Sequence, residues 1–148
     1  MTNPSVKECR WFSGRAQEVG DTMPVQVRIV IDNVMLYAEF FDTACAKAIV
    51  AQLPLEGVPE KWGDEFYFEI PVREFLDETA TAKVKIGDIG YWPTGRAIAI
   101  FFGPTPMSTG ADPVPASAVN LVGKVIDDAT LLRKLKSASA VRIERTEV

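Results

Sequence analysis

The chain has 148 residues, of which 47% are hydrophobic and 24% are charged, with a formal net charge of −4. This length predicts a single domain with one core, and the composition excludes a disordered chain. The lysines and arginines are scattered rather than clustered, so a nucleic acid is not an expected partner.

The sequence contains no histidine and only two cysteines, Cys9 and Cys45. The absence of histidine excludes a Ser-His-Asp triad, a Cys-His dyad and every histidine-based metal site. The cysteines are too far apart for a CxxC motif, and we interpret them as free thiols, with a disulfide left open. No apolar segment suits a signal peptide or a membrane-spanning helix. We therefore expect a cytoplasmic protein that uses no metal, no cofactor and no membrane.

The first elements are an N-terminal arm and a hairpin. Residues 1–24 mix polar residues with Gly and Pro and are interpreted as the arm, and residues 25–148 as the domain. Alternating apolar residues predict strands over 25–31 and 34–41, joined by the turn Asp32-Asn33. Asp42 or Thr43 then caps a helix, which Pro54 ends.

Six further strands are expected beyond this helix. Alternation and apolar runs place them at 62–71, 82–86, 89–92, 97–102, 120–126 and 140–146. Four prolines make residues 103–115 a loop, and leucines predict a second short helix near residue 132. Eight strands with two short helices and tight turns indicate a mainly β fold, either a closed barrel or a sandwich.

Four segments resemble, in the same order, those of small prokaryotic cyclophilin-like proteins of uncharacterised function. They are WGDEFYFEIP (62–71), GDIGYWPTG (87–95), AIFFGPTP (99–106) and NLVGKVIDD (120–128). The resemblance covers about residues 25–126 and the final strand. It implies a closed eight-stranded cyclophilin-like β-barrel with a helix at each end.

Cyclophilins themselves are peptidyl-prolyl isomerases, and the chain is similar to them only in part. AIFFG is similar to the Gln-Phe-Phe strand of the isomerase pocket, with Phe101 or Phe102 in that position. The isomerase signature also has a Phe-His-Arg strand, whose arginine polarises the proline amide. The corresponding segment here, 66–70, has no arginine and no histidine, and Ala99-Ile100 stand where the glutamine would be. Efficient isomerisation is therefore not expected.

The candidate site is an aromatic groove. Four aromatic residues are interpreted as its walls, with Glu65, Thr105 and Met107 as ligand-binding residues at the edge, and Pro104 and Pro106 stiffen the loop that carries Thr105. The four are Trp62, Tyr91, Trp92 and Phe102. Phe101 is a further candidate, because neighbouring residues of a strand point to opposite faces. The structural alternative is that the aromatics are core and the loop only a connection.

Glu65 is the one acid–base group that the sequence suggests. It precedes an aromatic strand and lies three residues from Trp62. A carboxyl beside an indole in a dry site has a raised pKa.

These features predict a domain that binds a small molecule or a short peptide in the groove. An atypical, weak isomerase is the first alternative and a protein-interaction subunit the second. The sequence does not indicate the oligomeric state.

Overall fold

The computed structural model describes residues 24–146, so the predicted arm lies outside the described residues apart from Pro24. Ten strands and two short helices follow each other along this part of the chain. They are β1 (Val25–Ile31), β2 (Val34–Phe40), α1 (Ala44–Val50), β3 (Leu55–Gly57), β4 (Glu60–Lys61), β5 (Glu65–Glu69), β6 (Ala80–Thr81), β7 (Asp88–Trp92), β8 (Ala97–Phe101), β9 (Val119–Val125), a 3₁₀ helix (Ala129–Lys134) and β10 (Val141–Arg145). No helix among the described residues is long and apolar enough to cross a membrane.

The strands form one antiparallel sheet. Nine of them lie along a single path, in the order β3-β10-β1-β2-β9-β7-β8-β5-β4, and β6 pairs with β9 beside it. The outer strands of this path, β3 and β4, are separated in the chain by only Val58 and Pro59. Since each residue spans at most about 3.6 Å, the sheet must curl to bring its two edges near each other.

The sheet is nevertheless open, because no ladder pairs β3 with β4 among the described residues. The mainly β fold is confirmed, whereas the expected closed barrel of eight strands is corrected to an open, curled sheet with nine strands along its path. The count differs because β3 and β4 are too short to show alternation in the sequence. The strand expected at 82–86 is also absent from the described structure, where only the two-residue β6 precedes it.

Local chemistry explains the well-predicted elements. Asp32 takes a φ of 51°, which Asp tolerates in a tight hairpin turn, and it places Ile31 opposite Val34. The Thr43 hydroxyl accepts a hydrogen bond from the backbone N–H of Ala46 at 3.2 Å, so Thr43 is the N-cap of α1.

Both faces of the sheet carry apolar clusters. The inner face, α1 and the 3₁₀ helix form the main core, whose largest side chains include Phe40, Phe66, Tyr91 and Phe102. A smaller cluster lies on the outer face of β5, β7, β8 and β9; its buried members are Val84, Ala99, Phe101 and Val119. The candidate site lies beside this outer cluster.

Candidate functional site

The alternation of β5 decides which side chains reach the outer face. Phe66 and Phe68 belong to the main core, so Glu65 and Tyr67 point the other way. In the pairing of β5 with β8, Glu65 lies opposite Phe101, a member of the outer cluster. The sequence pattern of one strand thus places a carboxylate on the outer apolar surface.

A pocket of about 160 Å³ opens at this surface. Three aromatic rings and three small apolar residues surround the single carboxylate; the lining residues are Trp62, Glu65, Tyr67, Trp92, Pro115, Ala116 and Val119. The rings of Tyr67 and Trp92 have centroids 6.1 Å apart and planes at 80° to each other. These two rings therefore form a corner rather than a flat wall.

Trp92 is held in place from two sides. Its Nε1–H donates a hydrogen bond to the Ser117 hydroxyl at 2.6 Å. Its ring also covers Gly95, where an added Cβ would lie 2.6 Å from the ring carbon Cζ3. The turn between β7 and β8 therefore needs a residue without a side chain at this position.

The loop after β8 supplies Pro115 and Ala116, and hydrogen bonds fix its path. The Thr105 hydroxyl donates to the carbonyl of Val114 and accepts from the backbone N–H of Met107 at 3.2 Å. The Ser108 hydroxyl accepts from the N–H of Thr105 at 2.9 Å and donates to the carbonyl of Asp112 at 2.7 Å. These bonds tie the two ends of the loop together, which positions one wall of the pocket.

Glu65 is buried without a partner. It is only 7% exposed, and among the described residues its Oε1 is the buried side-chain oxygen that has no hydrogen bond. Burial raises the pKa of this carboxyl from its ordinary value of 4.5 to about 7. The nearby cationic side chains form salt bridges with a different carboxylate: Lys61 Nζ lies 3.9 Å and Arg133 Nε 3.2 Å from oxygens of Asp64.

The structure brings three of the sequence-predicted site residues together in the pocket, namely Trp62, Glu65 and Trp92. Tyr91 lies instead in the main core, fully buried, and its hydroxyl donates to the carbonyl of Val72 at 2.6 Å. Neighbouring residues of a strand point to opposite faces, so Trp92 faces the pocket and Tyr91 cannot.

The other predicted site residues lie around the pocket rather than in its lining. Phe102 is buried in the main core, with its ring centroid 5.2 Å from that of Phe66, and Phe101 is buried in the outer cluster. The Thr105 hydroxyl points into the loop, where it is used for the bonds above, and Met107 is 54% exposed. The structure thus gives Thr105 a positioning role for the loop.

Sequence reasoning missed four lining residues: Tyr67, Pro115, Ala116 and Val119. The place of Tyr67 in the lining was predictable, because Tyr67 lies two residues from Glu65 on the same strand and therefore on the same face. The places of Pro115 and Ala116 were not predictable, because the path of the loop depends on contacts between distant residues. Within residues 24–146, no group of three or more acidic or cysteine side chains is arranged to hold a metal ion.

Comparisons with known proteins agree with this architecture. The family described as Cyclophilin-like matches residues 25–144, so the chain belongs to the cyclophilin-like family. The solution structure of a hypothetical protein from Archaeoglobus fulgidus is similar, with a TM-score of 0.70 and 31% sequence identity. That similarity covers 83% of this chain and 95% of the archaeal chain. Among curated proteins, none is significantly similar in sequence to this chain.

Proposed function

We propose that this domain binds a small molecule, or one side chain of a short peptide, in the pocket between Trp62, Tyr67 and Trp92. The observation that carries the proposal is the unpartnered Oε1 of Glu65 at the edge of an apolar pocket. A buried polar atom without a hydrogen bond costs about 1–3 kcal/mol, and more when it is charged. Such atoms call for an explanation, and a ligand that completes the missing bond is one.

The dimensions of the pocket limit what it can hold. Drug-sized ligands occupy pockets of about 300–1,000 Å³, whereas a cavity of about 150 Å³ holds a benzene molecule. At about 160 Å³, this pocket suits one ring or one branched side chain. The aromatic walls provide most of the contact, and Glu65 provides one directional bond.

A fragment screen by NMR tests the proposal. The indole N–H signals of Trp62 and Trp92 report on the pocket, and compounds with a single ring should shift both at millimolar concentration. Trp92→Ala should abolish the shifts of the Trp62 signal, because it removes one wall of the corner. Tyr37→Ala, which removes an exposed ring from β2 on another part of the sheet, is the matched control and should leave them unchanged.

The proposal fails if no fragment of any charge shifts either indole signal. It also fails if the shifts persist in Trp92→Ala, because binding would then occur elsewhere.

A further inference from the structure

We propose that the pocket selects a small protonated amine carrying at least one N–H, with Glu65 as its counter-ion and the rings of Trp62, Tyr67 and Trp92 around its apolar substituents. This inference rests on the proposed function and specifies the chemical class of its ligand. The argument depends on which polar groups of the pocket are already satisfied.

The polar tips of Tyr67 and Trp92 are engaged with the protein. The indole N–H of Trp92 donates to Ser117, and the hydroxyl of Tyr67 lies 3.4 Å from Oε1 of Glu60, to which it donates. Among the described residues, the buried side-chain oxygen without a hydrogen bond is Oε1 of Glu65, and a carboxylate oxygen is an acceptor when it is ionised. A pocket with an unsatisfied acceptor favours a ligand that brings a donor, and disfavours an anion.

The aromatic walls favour a cation over a neutral donor. The faces of Trp and Tyr rings attract cations electrostatically, and groups of such rings are the usual receptors for alkylated ammonium ions. The near-perpendicular rings of Tyr67 and Trp92 can contact two sides of one ammonium group. A carboxylate at the edge of the same pocket adds a charge-assisted hydrogen bond.

The same carboxylate distinguishes between kinds of ammonium. A quaternary ammonium has no N–H, so it would fill the pocket and leave Oε1 of Glu65 unpaired. A primary ammonium brings three N–H donors, two of which would face apolar walls. A tertiary ammonium, which has a single N–H, matches one acceptor and apolar walls best, and a secondary ammonium leaves only one N–H without a partner.

The titration of Glu65 makes the binding dependent on pH. Tyr67 is the other titratable residue of the lining, and burial raises its pKa above the ordinary value, so it stays neutral between pH 5 and pH 9. Glu60 and Lys61 lie on β4 and Asp64 directly precedes β5, while β8 and residues 115–119 carry no ionisable side chain. With a pKa near 7, Glu65 must lose its proton before it can pair with a cation. Apparent affinity should therefore fall about tenfold per pH unit below pH 7 and level off above it.

Three probes of similar size separate the possibilities. Protonated N-methylpyrrolidine has one N–H and as many heavy atoms as benzene. N,N-dimethylpyrrolidinium is a permanent cation without an N–H, and N-methylpyrrolidinone is a neutral acceptor. Binding is followed by the Trp62 and Trp92 indole signals of the full chain at about pH 8. A short acetylated peptide whose only amine is a dimethyllysine side chain shows whether the ammonium is also accepted on a peptide.

The amine should bind about tenfold more tightly than either other probe. Glu65→Gln keeps the shape of the side chain but removes its charge, and it should reduce amine binding about tenfold without weakening the pyrrolidinone, whose carbonyl can accept from the new amide N–H. Glu69→Gln is the matched control on the same strand, since Glu69 is exposed and absent from the pocket lining.

Each other result has a distinct meaning. If the pyrrolidinone binds best, Glu65 acts as a protonated donor and the amine inference falls, while ligand binding stands. If the quaternary cation equals the amine, the required N–H is refuted. If none of the probes shifts the indole signals and the fragment screen is also negative, both the inference and the proposed function fall.

Discussion

At the scale of single residues, the sequence predicted one property of Glu65, and the structure adds a second. Its position beside Trp62 predicted a raised pKa, and the structure gives the cause as burial on the outer face. The sequence could not show that Oε1 would lack a hydrogen-bond partner, because that depends on where Lys61 and Arg133 point. Both contact Asp64 instead, which leaves the neighbouring carboxylate unpaired.

Glu65 should make the protein less stable as pH rises. Its pKa is 4.5 when unfolded and about 7 when folded, so between these values the folded state holds a proton that the unfolded state has lost. Stability should therefore decrease from about pH 4.5 to pH 7, by at most about 3 kcal/mol, and then level off. Glu65→Gln should remove this slope, so the variant should gain stability relative to the wild type as pH rises.

Urea denaturation at pH 5 and pH 8 measures the effect. The quantity to compare is the difference between wild type and Glu65→Gln at each pH, because the other ionisable groups cancel in it. An equal difference at both values would show that the folded-state pKa of Glu65 is ordinary.

At the scale of elements, the β7–β8 turn and the loop after β8 build the pocket from opposite sides. The residues Pro93-Thr94-Gly95 are typical of a turn, but the sequence does not show that Gly95 makes room for the Trp92 ring. The sequence also did not show which of Tyr91 and Trp92 on β7 faces the main core, because both are large and aromatic. Pairing with β8 resolves it, since Tyr91 lies opposite Ile98 of the main core.

Gly95→Ala should displace the Trp92 ring. The new Cβ would lie 2.6 Å from the ring, which is closer than any normal contact, so the indole must move. We expect a stability loss of about 1 kcal/mol, a changed Trp92 indole N–H signal as the bond to Ser117 is disturbed, and weaker binding of ring fragments. NMR spectra and denaturation curves of the variant provide the measurements.

Gly110→Ala is the matched control, since nothing lies within 4 Å of its added Cβ. It should leave the indole signal and the affinity unchanged. An unchanged Trp92 signal in Gly95→Ala would contradict the role given to this turn.

At the scale of the whole molecule, the family and the longer strands could be predicted from the sequence, whereas the shortest strands and the closure of the sheet could not. Long alternating strands such as β1 and β5 have a strong periodic signal. Strands of two or three residues, such as β3 and β4, have none, and these are the strands that decide whether the sheet is closed. The packing of the 103–118 loop was equally hidden, because the bond from Thr105 to Val114 joins residues nine apart in a segment without regular structure.

The molecule should not accelerate proline isomerisation in simple peptides. The lining of the pocket contains no arginine, and its one ionisable group near neutral pH is a carboxyl, which cannot polarise an amide as a cation does. NMR exchange spectroscopy on an Ala-Pro tetrapeptide should show no exchange peaks at sub-second mixing times, because the uncatalysed reaction takes tens of seconds. An authentic cyclophilin in the same buffer is the positive control. Exchange peaks that disappear in Trp92→Ala would establish the domain as an isomerase.

The position of β10 has a consequence for how the protein is made. This strand lies between β1 and β3, with Val141 opposite both Ile31 and Gly57, and the Asp32 carboxylate accepts the backbone N–H groups of Ser139 and Ala140. During translation, β1 and β3 leave the ribosome long before residues 141–145 exist. The nascent chain therefore exposes half of the hydrogen-bonding groups of β1 until residues 141–145 have been made. Because β10 pairs with β1 across more than a hundred residues, this pairing should form slowly. Until it forms, the exposed edge of β1 can pair with other chains, so the nascent protein needs protection against aggregation.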